Sequence, residues 1–200
     1  ERTEFLPSDP VSFVDEQLGK LSDLALRAGF NVRAASPKPV ARAAAVCQRH
    51  DAILEINAHC RQEEMCAAGA GEALLADVDR LREQVDAASA TGASVSVKVR
   101  AEVPGVDLPA LAASIEAAGA DIVHVDAMDS ESVVADIASR SDIGIVANNG
   151  VRDAETVREY LEYGADAVSV GRPSDDPRVL SRVREATEAW FGTERQEVGG

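Results

Sequence analysis

The sequence predicts an α/β protein in which parallel strands alternate with helices. Six short segments rich in Val and Ile have the pattern of strands, and each is followed by a segment with helical spacing. The strand-like segments are apolar on both faces until their last positions, which is typical of parallel strands that are buried on both sides. Strict alternation of the two kinds of segment predicts right-handed β-α-β units and one parallel sheet.

The strand candidates occur at intervals along most of the chain. They are residues 29–35, 52–60, 94–100, 121–128, 144–150 and 167–172. Two segments nearly repeat, AGADIVHVD (118–126) and YGADAVSVG (163–171), and each joins a helix end to a strand through a glycine turn. No linker divides the chain, so we predict one domain over residues 1–192 and a loose tail over 193–200.

The helix candidates lie between these strands, and several carry their own start and stop signals. They are residues 39–50, 71–88, 107–120, 153–165 and 176–190. Pro39 suits a first helical turn. Asp107 and Asp153 are expected as N-caps, and Gly119 and Gly164 as helix stops.

Six strands fit either a doubly wound open sheet or a (β/α)8 TIM barrel that lacks two β/α units. Polar groups at the strand ends favour the barrel, because they are spread over five successive strands instead of gathering at one switch point. These groups are Asn57, His59 and Cys60; Lys98 and Arg100; His124 and Asp126; Asn148, Asn149 and Gly150; and Gly171 and Arg172.

Composition narrows the classes of function. With 35 acidic and 20 basic residues, the net charge of −15 disfavours non-specific binding to nucleic acid and suggests a salt-adapted cytosol. No apolar run is long enough to span a membrane, and the first residues lack a signal-peptide pattern. Three cysteines argue against a disulfide scaffold and for a reducing compartment. We therefore expect a cytoplasmic protein.

Lys98 is the most informative single residue, because a lysine within a Val-rich strand is costly to bury. It either pairs with a core carboxylate, Glu55 or Asp126, or places an ammonium beside an anionic or electron-rich ligand. His124 follows on the next strand and is either a satisfied core residue or part of the same site.

The first polar strand end offers nucleophilic and acid–base groups. Cys60 follows His59 directly, and a thiol at such a position can be an acid, a nucleophile or inert. His59, Cys60 and Cys66 do not have the spacing of a standard structural zinc site, so no metal is expected.

The last two strand ends predict a phosphate site. Asn149-Gly150 and Gly171-Arg172 are both expected to open a helix, where glycine allows close approach and free N–H groups face an anion. Arg172 adds a bidentate donor. Two such ends in the last two units are typical of a barrel phosphate site.

Taken in order, the strand-end motifs match a family. They are EINAHC (55–60), GAGEALL (69–75), KVR (98–100), VHV (123–125), NNG (148–150) and VGR (170–172). This order resembles the dihydrouridine synthases, flavin (FMN) proteins with a TIM-barrel fold, over residues 29–173. The strings INAHCRQ and HVDAM are similar to those of archaeal TIM-barrel proteins related to these synthases.

The resemblance implies roles for individual residues. Lys98 and His124 match residues that contact the flavin ring, and Asn31 stands where the family usually has a flavin-contacting glutamine. Asn149, Gly150, Gly171 and Arg172 match the phosphate-binding loops. Asn57, together with Arg100, is expected to bind substrate. Cys60 matches the cysteine that protonates the pyrimidine carbon, with His59 as its neighbour or replacement.

The resemblance also implies a reaction, an FMN-dependent reduction of a pyrimidine C=C bond with NADPH or NADH as electron donor. It implies uridine in tRNA as substrate, although the helical tRNA-binding domain of the synthases has no counterpart here and the first two barrel units are absent. His59-Cys60-Arg61 replaces the usual Gly-Cys-Pro. The alternatives are a dihydroorotate or dihydropyrimidine dehydrogenase acting on a free base, and a barrel without redox activity that binds a phosphorylated ligand.

Overall fold

The protein forms a six-stranded parallel sheet in which the strands follow one another in chain order. A computed structural model describes residues 7–197, and their side chains as far as residue 192. The strands are β1 (Gly29–Val32), β2 (Ile53–Asn57), β3 (Ser94–Arg100), β4 (Ile122–Asp126), β5 (Gly144–Asn148) and β6 (Ala167–Ser169). All six predicted strands are confirmed, each within its predicted segment.

Nine helices and a short 3-10 helix are found in the described residues. They are α1 (Pro10–Gly19), α2 (Pro37–Arg49), α3 (Glu63–Ala67), α4 (Ala73–Ala76), α5 (Val78–Ser89), α6 (Leu108–Ala117), α7 (Val133–Ala138), α8 (Ala154–Glu162), α9 (Pro177–Glu197) and the 3-10 helix Arg172–Asp175. No helix in this part of the chain combines the length and apolar character needed to cross a membrane.

The strand order identifies the sheet as part of a barrel. Right-handed crossovers between strands that never reverse their order place every connecting helix on the same face. That face is fully buried, with Leu54, Val97 and Val123 at 0% exposure. In the described residues the pairing runs from β1 to β6 without joining them, so the predicted TIM barrel is confirmed as an open, six-stranded one.

The opposite face of the sheet is the barrel interior, and strand register arranges it in levels. Asn31, Glu55, Ser96 and Ile122 are aligned across β1 to β4. One level nearer the carboxyl ends come Asn57, Lys98, His124 and Val146. The last level holds Arg100, Asp126, Asn148 and Ser169. Register thus gathers the polar strand ends at one mouth.

The near-repeat has a structural cause at the opposite end of the barrel. Asp121 Oδ2 accepts a 2.8 Å hydrogen bond from the N–H of Val95, and Asp166 Oδ2 accepts one of 2.7 Å from Ile145. In each Gly-Ala-Asp segment the aspartate therefore accepts the N–H of the second residue of the preceding strand.

Two predicted boundaries are wrong. The helix expected over 71–88 is interrupted at Asp77, whose side chain accepts from the N–H of Arg80 and caps α5 as a separate helix. The tail expected to begin at residue 193 is helical through Glu197, as the end of α9. Residues 1–6, including most of the segment without a signal pattern, and residues 198–200 lie outside the described residues.

Candidate active site at the carboxyl ends of the strands

Glu55 is the centre of a hydrogen-bond network inside the barrel. Its Oε2 lies 2.8 Å from His124 Nδ1 and accepts from Ser96 Oγ at 3.2 Å, while Oε1 accepts from Asn31 Nδ2 at 2.7 Å. Burial raises the pKa of Glu55, but the His124 ring, the Asn31 amide and the Lys98 ammonium outweigh it and hold that pKa below its ordinary value. Glu55 is therefore an ionised carboxylate at neutral pH.

The polar end of β2 is a turn built by the side chain of Asn57. Its Oδ1 accepts from the backbone N–H of His59 at 3.2 Å and of Cys60 at 3.0 Å, and lies 3.1 Å from His59 Nδ1. Its Nδ2 donates to Asn31 Oδ1 at 2.9 Å. Asn57 is 5% exposed, and its amide fixes the turn that presents Cys60. Its predicted contact with substrate stays a prediction.

Lys98 and His124 lie side by side on β3 and β4 at the level above Glu55. Among residues with described side chains, Lys98 Nζ makes no hydrogen bond or ion pair, because the carboxylate of Glu55 is engaged by His124. The interpretation that Lys98 pairs with Glu55 or Asp126 is therefore wrong in this structure. His124 Nε2 is a buried nitrogen without a hydrogen-bond partner in the same part of the chain.

Cys60 is held beside a cation and a second thiol. Arg33 Nη1 lies 3.6 Å from Cys60 Sγ and donates to Gln62 at 2.7 Å. The thiol of Cys66 donates to the Cys60 carbonyl at 3.4 Å. Gly71, whose φ is +62°, passes so close to that carbonyl that a Cβ there would overlap it. These contacts join the Cys60 turn to the GAGEALL segment.

His59 lies against the same turn and is half-buried. Burial lowers the pKa of its imidazole, and the nearby Lys98 ammonium lowers it further. The neutral ring donates from Nδ1 to Asn57, which leaves Nε2 as an acceptor.

Arg100 does not face open solvent at the mouth. Its Nη1 donates to Glu72 Oε2 at 2.8 Å, and only 10% of its side chain is exposed. In the described residues its charge is thus matched within the protein, and its predicted role in binding substrate stays a prediction.

The two predicted phosphate loops differ from their expected form. Asn149 and Gly150 have φ of +97° and +68°, and Asn149 Nδ2 donates to Asp126 Oδ1 at 3.0 Å. A helix is predicted to open at Asn149-Gly150, but α8 begins only at Ala154. The Asp153 carboxylate accepts a hydrogen bond from the N–H of Thr156 and caps this helix. Asp153 is confirmed as N-cap.

The second loop keeps more of its predicted character. Gly171 precedes the 3-10 helix Arg172–Asp175 and no side chain caps it. Asn148 Oδ1 lies 3.8 Å from where a Cβ on Gly171 would stand, which places the two loops next to each other. Arg172 is exposed beside them.

Below the mouth, the barrel interior contains a cavity of about 220 Å³. Its lining includes Asn31, Glu55, Ser96 and His124 as polar walls. Ile53, Ile122 and Val146 form the rest of its surface, together with Gly29. No cluster of His, Cys, Asp or Glu side chains suited to a metal ion is found in the described residues.

Sequence reasoning found the residues at the mouth but missed those that hold them. From the sequence, Glu55 is only a possible ion-pair partner for Lys98 and the first residue of the EINAHC motif, and Arg33, Glu72 and Tyr160 have no predicted role. Tyr160 donates from its hydroxyl to the carbonyls of Asn149 at 2.9 Å and Asn148 at 3.3 Å. Glu72 lies within the GAGEALL motif, and the resemblance that includes this motif is the sequence signal that points to it.

The residues at the mouth fit FMN. Among the residues whose side chains are described, the Lys98 ammonium has no hydrogen-bond or ion-pair partner, and a cation suits an electron-rich ring. Gly150, Gly171 and Arg172 lie at the last two strand ends, where an anionic phosphate would find backbone N–H groups and a guanidinium.

The architecture is that of a (β/α)8-type barrel with its polar groups gathered at the strand carboxyl ends. The family model for dihydrouridine synthases matches residues 22–196. The chain therefore belongs to the dihydrouridine synthase family.

Two individual relatives match parts of the chain. An uncharacterized protein of Methanocaldococcus jannaschii is 27% identical over 172 residues, which cover 80% of this chain and 65% of that protein. A subunit of imidazole glycerol phosphate synthase from Shewanella amazonensis is 35% identical over 102 residues, 46% of this chain and 38% of that protein. The chain thus spans less than two thirds of either relative.

Solved structures show the same fold. FabK from Thermotoga maritima superposes with a TM-score of 0.57 at 18% identity, covering 87% of this chain and 49% of that one. A tryptophan synthase complex from Pyrococcus furiosus gives a TM-score of 0.54 at 13% identity, covering 91% and 72%.

Proposed function

We propose that this chain carries the catalytic mouth of an FMN-dependent oxidoreductase that reduces the C=C bond of a pyrimidine, with uridine in tRNA as its substrate. The observation that carries the proposal is the pairing of Lys98 with His124. The two lie side by side at the mouth, the lysine without an ion pair and the histidine with a buried free nitrogen, next to the turn that holds Cys60.

Reduction of a C=C bond next to a carbonyl needs a hydride at one carbon and a proton at its neighbour. FMN, when bound, supplies the hydride. Cys60 supplies the proton from Sγ, and the Asn57 amide holds its backbone in place. Arg33 lies 3.6 Å from the sulfur and stabilises the thiolate that remains after the proton has left.

His59, the residue before Cys60, has a different role. Because burial and Lys98 keep the pKa of His59 low, His59 is neutral at working pH and a poor proton donor. Its free Nε2 can instead accept a hydrogen bond from substrate, which makes His59 an orienting group and leaves Cys60 as the acid.

A free pyrimidine base is the second substrate class, and the net charge of −15 favours it. Such a charge repels a phosphate backbone unless the surface around the mouth is locally basic. NADPH or NADH is the proposed electron donor for either substrate, and the cytoplasm the proposed location.

The first test is a visible spectrum of the full-length protein, followed by mass spectrometry of the ligand released on denaturation. We expect a flavin spectrum and the mass of FMN. A colourless protein that also fails to take up added FMN would overturn the proposal and favour the barrel without redox activity.

The second test distinguishes the substrates. The reduced enzyme is offered unmodified tRNA and free uracil or orotate, and dihydropyrimidine is measured in each.

Arg172→Ala should weaken FMN binding by about 1.5–3 kcal/mol, the scale of a hydrogen bond to a charged group. Arg184→Ala, an exposed arginine on α9, is the matched control.

A further inference from the structure

Glu55 is connected by hydrogen bonds to both halves of the site. On one side its carboxylate meets His124 Nδ1 directly. On the other side it meets Asn31, which meets Asn57, which holds the backbone N–H of Cys60. One chain of contacts therefore runs from the histidine on β4 to the turn that presents the thiol.

The donor–acceptor direction of this series of hydrogen bonds is fixed at both ends. An ionised carboxylate only accepts, so Asn31 must present Nδ2 to Glu55 and Oδ1 to Asn57. Asn57 then presents Nδ2 to Asn31 and is left with Oδ1 for Cys60. A backbone N–H only donates, so the far end requires the same direction as the near end. If the side-chain amide of Asn31 or Asn57 rotated by half a turn, a donor would face a donor and an acceptor would face an acceptor.

The same reasoning applies to His124. Because Glu55 accepts, His124 must carry a proton on Nδ1, and in the neutral form of the ring Nε2 is then an acceptor. Nε2 is the atom that is buried without a partner. The tautomer therefore decides whether this buried atom accepts or donates a hydrogen bond.

We infer that Glu55 is a positioning residue whose single ionised carboxylate sets both the Nδ1–H tautomer of His124 and the direction of the two amides that hold Cys60. Only the use of this arrangement in catalysis rests on the proposed function. The tautomer is a property of the chain itself and is measured without flavin or substrate.

Three donors converge on the two carboxylate oxygens, from Asn31, His124 and Ser96. Glu55→Gln replaces one accepting oxygen by a donating NH₂ group. The partners of that NH₂ group must then present an acceptor in place of a donor. The Asn31 side is pinned by the backbone of Cys60. A hydroxyl rotates freely and a neutral imidazole can move its proton, so the NH₂ group should face His124 and Ser96. We expect His124 to change to the Nε2–H tautomer.

The experiment is ¹⁵N NMR of the histidine side chains at a pH where they are neutral. The chain has three histidines, and His50→Gln and His59→Gln assign the signals. The wild type should show Nδ1–H for His124, and Glu55→Gln should show Nε2–H for His124 with His59 unchanged at Nδ1–H. Ser96→Ala removes one donor but keeps the carboxylate, so both tautomers should stay as in the wild type.

Each other result overturns the inference. An Nε2–H tautomer for His124 in the wild type removes its premise, and this measurement stands even if Glu55→Gln does not fold. An unchanged His124 in a folded Glu55→Gln shows that another group sets the tautomer. A change of tautomer at His59 instead of His124 shows that the side-chain amides of Asn31 and Asn57 have rotated. Failure to bind flavin would count against the proposed function and leave the tautomer result in place.

Discussion

The Arg100 guanidinium lies 2.8 Å from the Glu72 carboxylate, and this pair fastens the GAGEALL segment to strand β3. Glu72 also donates its backbone N–H to the carbonyl of Cys60 at 2.9 Å. The ion pair therefore supports the Cys60 turn from the side opposite to Asn57. The exposures of the two partners differ, 10% for the Arg100 side chain and 28% for that of Glu72.

This difference in exposure predicts that removing Glu72 and removing Arg100 lower the free energy of unfolding by different amounts. Glu72→Leu leaves the nearly buried guanidinium without a counter-charge and should lower the free energy of unfolding by about 3 kcal/mol. Arg100→Leu leaves a carboxylate that can turn to water, and should cost only about 1–2 kcal/mol. Urea denaturation of both variants and of the double variant measures the order and the coupling. Equal costs would contradict the predicted order, and a coupling energy near zero in the double variant would show that neither charge depends on the other.

Cys60→Ala should separate proton transfer from flavin chemistry. The variant should keep its flavin and the flavin should still be reduced by the donor. Product formation should slow about 100- to 10,000-fold, the scale of general acid catalysis. Single-turnover kinetics of the reduced enzyme measure this step.

His59→Ala is the matched variant and should have a smaller effect, since a neutral ring orients and does not protonate. If Cys60→Ala turns over normally while His59→Ala is inactive, the acid is His59. If neither variant slows turnover, the turn is structural and the non-redox alternative gains support.

Lys98→Met should affect ligand binding and leave folding intact. No carboxylate depends on Lys98 as its sole partner, so the free energy of unfolding should change by less than about 0.5 kcal/mol. Flavin affinity should fall by about 1.5–3 kcal/mol, as for a lost hydrogen bond to a charged group. Fluorescence titration with FMN measures the second quantity. Lys38→Met, an exposed lysine on α2, should change neither.

The low pKa of His59 predicts a pH dependence of stability. Folding disfavours the charged ring, so the unfolded chain binds this proton more readily and stability rises with pH. The contribution is present above the ordinary pKa of 6.5 and is lost as the pH falls through the folded value. His59→Gln should therefore flatten the fall in unfolding free energy below pH 6.5.

An NMR titration tests the cause. The pKa of His59 should lie below 6.5 in the wild type and rise in Lys98→Met, because burial remains but the nearby cation is gone. A wild-type value above 6.5 would contradict both the sign of the pH dependence and the assignment of His59 as a neutral orienting group.

Tyr160 should stabilise the Asn149 loop through its hydroxyl. Burial and nearby carboxylates raise the pKa of Tyr160, so it stays a donor at working pH. Tyr160→Phe leaves two carbonyls short of this donor and should cost about 0.5–1.5 kcal/mol of unfolding free energy. Tyr163→Phe, at the end of the same helix, is the control. An equal effect of both changes would show that the hydrogen bonds from Tyr160 to the loop carbonyls do not account for the loss.

The sequence by itself determined the six strands and their order, whereas α1, α3 and α7 have no counterpart among the predicted helices. Strand positions follow from local runs of Val and Ile, and the caps at Asp107 and Asp153 follow from side chains that bond within three residues. It also determined that polar groups gather at one mouth, because parallel strands end on the same side. Even the break at Asp77 is a local cap, although the helical spacing on both sides of it concealed the interruption.

Only the tertiary structure decided which side chains meet. Glu55 could have paired with Lys98, yet its carboxylate meets His124, and no side chain in the described part of the chain forms an ion pair with the lysine. Arg100, which the sequence places at the mouth, meets a glutamate 28 residues earlier in the chain, and no sequence pattern indicates that contact. Contacts between strands depend on twist, register and side-chain length together. A sequence pattern fixes which face a residue occupies, and the packed barrel alone fixes its partner.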